Sequence, residues 1–185
     1  MRHTGLDLSL TATGIAHIET STNPTTHTIT SAGRKTDTLP MRTDRLRRLR
    51  NTIVDHCLHS DLVAIEAPAY SSNVGSVWDR AGLWWSIITA LDALTIPYVA
   101  IPPTTVKKFA TDKGNADKTA VAAHMTRLWK DLANPTDNNQ FDALALATMA
   151  AVHTDFRALP VTVLERHKLS VSGISWPALN PNRSI

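Results

Sequence analysis

Three carboxylates stand where the hydrophobic pattern makes an acid costly. Asp7 falls within an alternating run, Thr4 to Leu10, in which Leu6, Leu8 and Leu10 face one way and Asp7 and Ser9 the other. Glu66 closes the apolar run Asp61-Leu62-Val63-Ala64-Ile65-Glu66, and Asp142 opens Phe141-Asp142-Ala143-Leu144-Ala145-Leu146-Ala147. A carboxylate removed from water needs a cation, a hydrogen-bond network or a metal to offset its desolvation. Singly, Asp142 also reads as a helix cap and Asp7 as a half-exposed strand residue. Taken together, on two strands and a helix expected to be neighbours, the three point to a hard divalent cation. Mg²⁺ or Mn²⁺ takes oxygen ligands from a few carboxylates.

The elements that must position these acids follow from periodicity. Strands are expected over Thr4–Leu10, Ile15–Ile18 and His27–Ser31, separated by turn-like Thr11-Ala12-Thr13-Gly14 and Asn23-Pro24. That spacing suggests an antiparallel meander. Met41 to Leu58 then carries Leu46, Leu49, Ile53, Val54 and Cys57 at helical spacing. The run Asp61–Glu66 fits a parallel strand buried on both faces. A long apolar helix over Val74–Leu94 with Trp78, Trp84 and Trp85, and a short strand Ile96–Ile101, come next. Helices are predicted at Thr104–Ala110, Asp117–Leu132 and Asn139–Phe156, the last following the breaker Asn134-Pro135-Thr136-Asp137. The order predicts one α/β domain over residues 1–158 with a mixed sheet. Residues 159–185, with Pro160, Pro177 and Pro181, read as an irregular tail packed on the body, with Ser175-Trp176-Pro177 as a possible anchor or partner site.

Composition bounds the function. The 185 residues suit one domain, and 43% hydrophobic against 19% charged residues can build a core. A formal charge of +3 excludes nucleic-acid binding by bulk charge, so any such binding needs a local patch. One cysteine, Cys57, excludes an intramolecular disulfide and suits a reducing compartment. No run of 18 apolar residues and no signal-peptide pattern is present, so a cytoplasmic, non-membrane protein is expected. Among the eight histidines, His56 and His59 share a helix face near Cys57, which is an incomplete zinc set. His124 and His153 read as partly buried helix residues.

Four segments resemble, in family order, those of RuvC-type Holliday junction resolvases. Gly5-Leu6-Asp7-Leu8-Ser9-Leu10-Thr11-Ala12-Thr13-Gly14 resembles their first strand and Val63-Ala64-Ile65-Glu66 their fourth. Lys113-Gly114-Asn115-Ala116-Asp117-Lys118 resembles their Lys/Gly-rich loop, and Asp142-Ala143-Leu144-Ala145-Leu146-Ala147 their final acidic helix. The resemblance spans about residues 4 to 155. It implies an RNase H-like fold: a five-stranded mixed sheet, three antiparallel strands then parallel ones, flanked by helices. It also implies a homodimeric endodeoxyribonuclease acting on branched DNA, with two Mg²⁺ ions bound by the acids matching Asp7, Glu66 and Asp142 and with Mn²⁺ able to substitute. In two-metal hydrolysis one ion readies the attacking water and the other stabilises the leaving oxygen, the ions lying about 3.5–4 Å apart. Asp7 is the expected bridging carboxylate.

The chain departs from the family pattern at one place. Members often carry a metal-binding Asp or His three residues before the last acid, where this chain has Asn139. Asn139 shares a helix face with Asp142 and can offer a neutral oxygen, with Asp137 in reserve. This D-x-N-x-x-D form looks like the phage-type branch. Lys107 and Lys118 match basic residues used near the scissile phosphate, and Lys108 and Lys113 lie between them. Four lysines beside an acidic site suit phosphate contact, since DNA must be drawn to carboxylates that repel it. Tyr70, after Glu66, is the candidate for stacking on a junction base. The helix with Trp78, Trp84 and Trp85 resembles the family's dimer interface. The run Arg45–Arg50 reads as a solvated helix face. Two other readings share these residues: an RNA-processing nuclease of the same fold, and a branched-DNA-binding scaffold with a weakened site.

Overall fold

The computed structural model describes residues 1–20, 22–68 and 77–179. The sheet holds β1 (Arg2–Asp7), β2 (Ala12–Glu19), β3 (Thr25–Thr30), β4 (Leu62–Glu66) and β5 (Tyr98–Ile101) in the order β3-β2-β1-β4-β5. β1 pairs antiparallel with β2 and parallel with β4, so it is the central strand, and β2 with β3 completes the expected meander. The helices are α1 (Leu39–Cys57), α2 (Val77–Ala93), α3 (Pro103–Thr111), α4 (Lys118–Trp129), α5 (Asn138–Asp155) and α6 (Glu165–Ser172). The arrangement is the RNase H-like α/β fold expected from the sequence. Among the described residues no helix is long and apolar enough to cross a membrane.

The near-continuous apolar character of β4 has a direct cause. Leu62 and Ala64 join the core under α3, α4 and α5, while Val63 and Ile65 join a second core under α1 and α2. Helices cover both faces, so neither set of side chains meets water. α5 is apolar all round for the same reason: Ala143 through Val152 are all buried.

β1 ends earlier than the alternating pattern suggests. The Thr13 hydroxyl donates to the Ser9 carbonyl (2.8 Å) and accepts from the Ser9 N–H (3.1 Å), which turns the chain after Asp7. Asp7 is therefore the last residue of the strand, not a mid-strand residue. The C-terminal segment also corrects the sequence reading of an irregular tail. It contains α6, whose His167 and Val171 are buried against the body. Trp176 follows, stacked on His153 at 4.4 Å, with its indole N–H donating to the Val171 carbonyl (2.9 Å). The polar sequence Glu165–Ser172 has no helical stripe of its own, so docking rather than periodicity makes this helix.

Two glycines set how closely α5 approaches the sheet. A methyl group on Gly5 would overlap the Ala143 carbonyl oxygen and lie 2.6 Å from the Ala147 nitrogen. One on Gly14 would overlap the Asn139 carbonyl oxygen. In both cases the obstacle is backbone, which cannot swing aside. Gly5→Ala is therefore expected to cost about 2–3 kcal/mol in urea unfolding, the scale of overpacking a tight core. A loss below about 0.5 kcal/mol would show that α5 is free to shift.

Candidate active site

β1 and β4 run parallel with Leu6 beside Ile65, so Asp7 and Glu66 leave neighbouring strands at the same edge. Both lie on the face covered by α5, since side chains alternate and Gly5 and Ala64 meet that helix. The Asp7 and Glu66 carboxyl groups come close enough to share a proton. Gly14 is the β-partner of Asp7, and Asn139 lies directly over it, which brings Asn139 to the rung of Asp7. Asp142, one helical turn on, is 13% exposed, and its Oδ2 lies 3.5 Å from Lys118 Nζ. The structure thus gathers Asp7, Glu66, Asn139 and Asp142 at one end of the sheet.

Further contacts hold this constellation in place. The Trp84 indole donates to the Glu66 carbonyl (3.2 Å), fixing the end of β4 from α2. Asp137 caps α5: Oδ1 accepts from the Gln140 N–H (2.9 Å), while Oδ2 accepts from the Thr28 hydroxyl. Buried Gln140 adds bonds to the hydroxyls of Thr26 (2.8 Å), Thr28 (2.8 Å) and Thr136 (2.9 Å). This clasp ties β3 to the first turn of α5. It commits Asp137 to capping and leaves Asn139 as the residue facing Gly14. The sequence reading found none of Trp84, Gln140, Gly5 or Gly14 in these roles. Small residues opposite one another, Gly5 and Gly14 against an Ala-rich helix, were the available signal.

Burial dominates the electrostatics. It raises Glu66 to about 8 and Asp7 to about 6, with like-charge repulsion among Asp7, Glu66 and Asp142 adding to it. Glu66 is raised the further of the two, so the pair takes up its proton well above the usual carboxylate range. Asp142 is also raised by burial, against which Lys118 and then Lys107 pull it down. Among the described residues no three His, Cys, Asp or Glu side chains already form a metal-holding group. The donors nevertheless suit a hard cation. Two buried carboxyls must share a proton and a third leans on a lysine, which is the charge deficit that a divalent ion relieves.

Of the candidate DNA-contacting lysines, Lys107 and Lys118 direct their charge at the acidic site, whereas Lys108 and Lys113 are exposed on α3 and the loop after it. Tyr70 lies outside the described residues. The arginine run is not simply solvated. Arg45 donates to the Leu10 carbonyl and to Ser31 (2.8 Å to its hydroxyl), and Arg42 forms a two-pronged pair with Asp79 of α2 (3.0 and 2.5 Å). Arg47 and Arg48 both pair with Asp44 on their own helix. Cys57 is buried with its thiol donating to the Ile53 carbonyl (3.3 Å), which removes it from any metal set with His56 and His59.

Comparison with known proteins is consistent with this geometry. The family profile described as Crossover junction endodeoxyribonuclease RuvC matches residues 4–150. A protein of that name from Renibacterium salmoninarum is 32% identical over 152 residues, covering 80% of this chain and 77% of the relative. One from Corynebacterium efficiens is 28% identical over 149 residues, covering 80% and 67%. Among solved structures, Thermus thermophilus RuvC superimposes with a TM-score of 0.62 at 18% identity, covering 80% of this chain and 91% of that one. T. thermophilus RuvC in complex with Holliday junction substrate gives 0.63 at 17% identity, covering 84% and 96%.

The raised carboxyls have a signed consequence for stability. Between about pH 4 and pH 8 the folded, metal-free protein binds more protons at Asp7 and Glu66 than the unfolded chain does. Stability must then fall as pH rises through that window. Thermal unfolding in chelator is expected to show this decline in the wild type and a flatter profile in Glu66→Gln. Parallel profiles for the two proteins would refute the shared proton.

Proposed function

This chain belongs to the RuvC family of crossover junction endodeoxyribonucleases, and on that footing we propose that it cuts four-way DNA junctions with two Mg²⁺ ions held by Asp7, Glu66, Asn139 and Asp142. The observation that carries the reading is the proton-sharing Asp7–Glu66 pair, with Asp142 and Lys118 beside it, inside the segment that the family profile covers. Bound Mg²⁺ supplies a readied water and a counter-charge for the leaving oxygen. Asp7, on the central strand, would be the residue shared between the ions. To hold a cation Glu66 would have to be deprotonated, so metal affinity is expected to rise with pH through the neutral range. Asn139 contributes a neutral oxygen, which lowers the charge of the donor set relative to relatives that carry an acid there.

Lys118 has two partners in turn. Here it neutralises Asp142; with a cation held by that carboxylate it would be free to meet the phosphate, beside Lys107. Lys108 and Lys113 extend the same positive track away from the site.

A two-fold substrate calls for two sites, and we assign the second to another copy of the chain. Trp78, Gly82, Trp85 and Thr89 form one stripe on α2; Trp78 is 86% and Trp85 61% exposed. Leu39 and Met41 at the start of α1 are also exposed. Two exposed tryptophans on one helix face suit a buried partner surface far better than water.

Synthetic four-way, Y-shaped and linear DNA, assayed with Mg²⁺ and with Mn²⁺, tests the reading. Paired nicks near the crossover are expected, lost at least a thousandfold in Asp7→Asn or Glu66→Gln while junction binding survives. Comparable cutting of RNA hairpins would favour an RNA-processing enzyme, and tight binding with no cutting would favour a scaffold. Lys118→Ala is expected to weaken binding and to reduce the slope of affinity against salt by about one. In sedimentation, Trp78→Ser with Trp85→Ser should give a monomer, and a surviving dimer would place the interface elsewhere.

A further inference from the structure

Away from the carboxylates, the docked C-terminal segment encloses a cavity of about 650 Å³ against the body. α4 lines it with His124 and Arg127, the turn after α4 with Lys130 and Asp131, and α6 with Arg166 and His167. α4 begins at Lys118, beside Asp142, and ends at Trp129 on this cavity, so about 17 Å of helix separates the two places. Several wall groups are already committed to holding the fold. The Trp129 indole donates to the Thr148 hydroxyl (3.0 Å), and His167 Nδ1 accepts from the Leu164 N–H (3.2 Å) while its ring packs on Phe109 at 4.9 Å.

The charged residues of the lining are not committed in this way. Among the described residues Arg127, Lys130 and Arg166 form no ion pair, Asp131 pairs with none of them, and the Arg166 Nε is buried without a hydrogen-bond partner. Arg127 and Arg166 come from different helices yet act on one ring: burial, then these two charges, holds His124 below its usual range. Burial and Arg166 push His167 down to about 4. Both imidazoles are therefore neutral at pH 8, and three cations face one acid across the cavity. A guanidinium partly removed from water and left unpaired is the group that an oxyanion relieves. Leu128, Leu132, Pro160 and Val161 give the same cavity an apolar wall.

We propose that this cavity binds a small phosphate monoester, its dianion drawn to Arg127 and Arg166 and its organic part laid on the apolar wall. The two positive charges in excess of Asp131 match a monoester, which is a dianion above its second pKa of about 6. A DNA backbone phosphate is a diester with one charge, and it calls for an open positive track such as Lys107 to Lys118 rather than a cavity closed by the chain before α6. The guanidinium fork suits phosphate oxygens taken in pairs. The volume falls within the range of about 300–1,000 Å³ usual for small-molecule sites. None of the lining residues belongs to the acidic edge, so the site is independent of the nuclease reading.

Calorimetry at pH 8 in chelator tests this, with phenyl phosphate as the probe and inorganic phosphate and phenol as its two halves. One equivalent of phenyl phosphate is expected to bind wild type and Asp7→Asn alike, and more tightly than either half does. Arg127→Ala and Arg166→Met should each weaken it by about tenfold or more. Arg127 is exposed, so Arg127→Ala is expected to melt with wild type, and its weaker binding cannot be put down to misfolding. The affinity of Arg127→Ala for a four-way junction should stay at the wild-type value; a matching fall would make the cavity a DNA track and overturn the proposal. So would no binding of phenyl phosphate to wild type, binding no tighter than that of inorganic phosphate, unchanged affinity in both arginine variants, or loss of binding in Asp7→Asn.

Discussion

The close seating of α5 on β1 and β2 is the constraint on which the rest depends. Gly5 and Gly14 leave no side chain between helix and sheet, so the Ala143 and Asn139 carbonyls sit against strand backbone. This contact puts Asp142 over the ends of β1 and β4 and sets Asn139 at the rung of Asp7. The Asp137–Thr28–Gln140 clasp then fixes the rotation and starting point of the helix. A site assembled from two strands and a helix is only as well defined as the distance between them, and here backbone sterics define it.

The site is electrostatically unfavourable by itself. Three acids share a poorly solvated edge, and without a cation two of them hold one proton between them while the third leans on Lys118. Such a cluster weakens the fold and is tolerated because two apolar cores, one on each face of the sheet, supply the stability it removes. The same imbalance is what gives a divalent ion its affinity there.

Charge elsewhere is distributed with equal economy. The net +3 is small, and the arginines of α1 are largely engaged within the protein, Arg42 with Asp79, Arg45 with Ser31 and the Leu10 carbonyl, Arg47 and Arg48 with Asp44. The positive charge aimed at the acidic edge comes from Lys107 and Lys118. A modest overall charge is thus compatible with DNA binding because its location, not its sum, does the work.

Strand and helix order, the buried character of β4 and the three unusual acids were all legible in the chain, because period-two and period-3.6 patterns are local properties and a carboxylate in an apolar run stands out without coordinates. The start of α5 was legible too, as a breaker offering caps and ending in Asp137, the residue that caps the helix, although the clasp to β3 was not. What only the tertiary structure decided concerns residues far apart in sequence: that Glu66 shares a proton with Asp7, that Arg45 braces a turn, that Glu165–Ser172 is a docked helix, and that His56 faces His17 and His27 rather than Cys57 or His59. Each depends on which faces are brought together when the sheet closes under α5. Sequence periodicity says which way a side chain points within its own element, but not which neighbour it will meet.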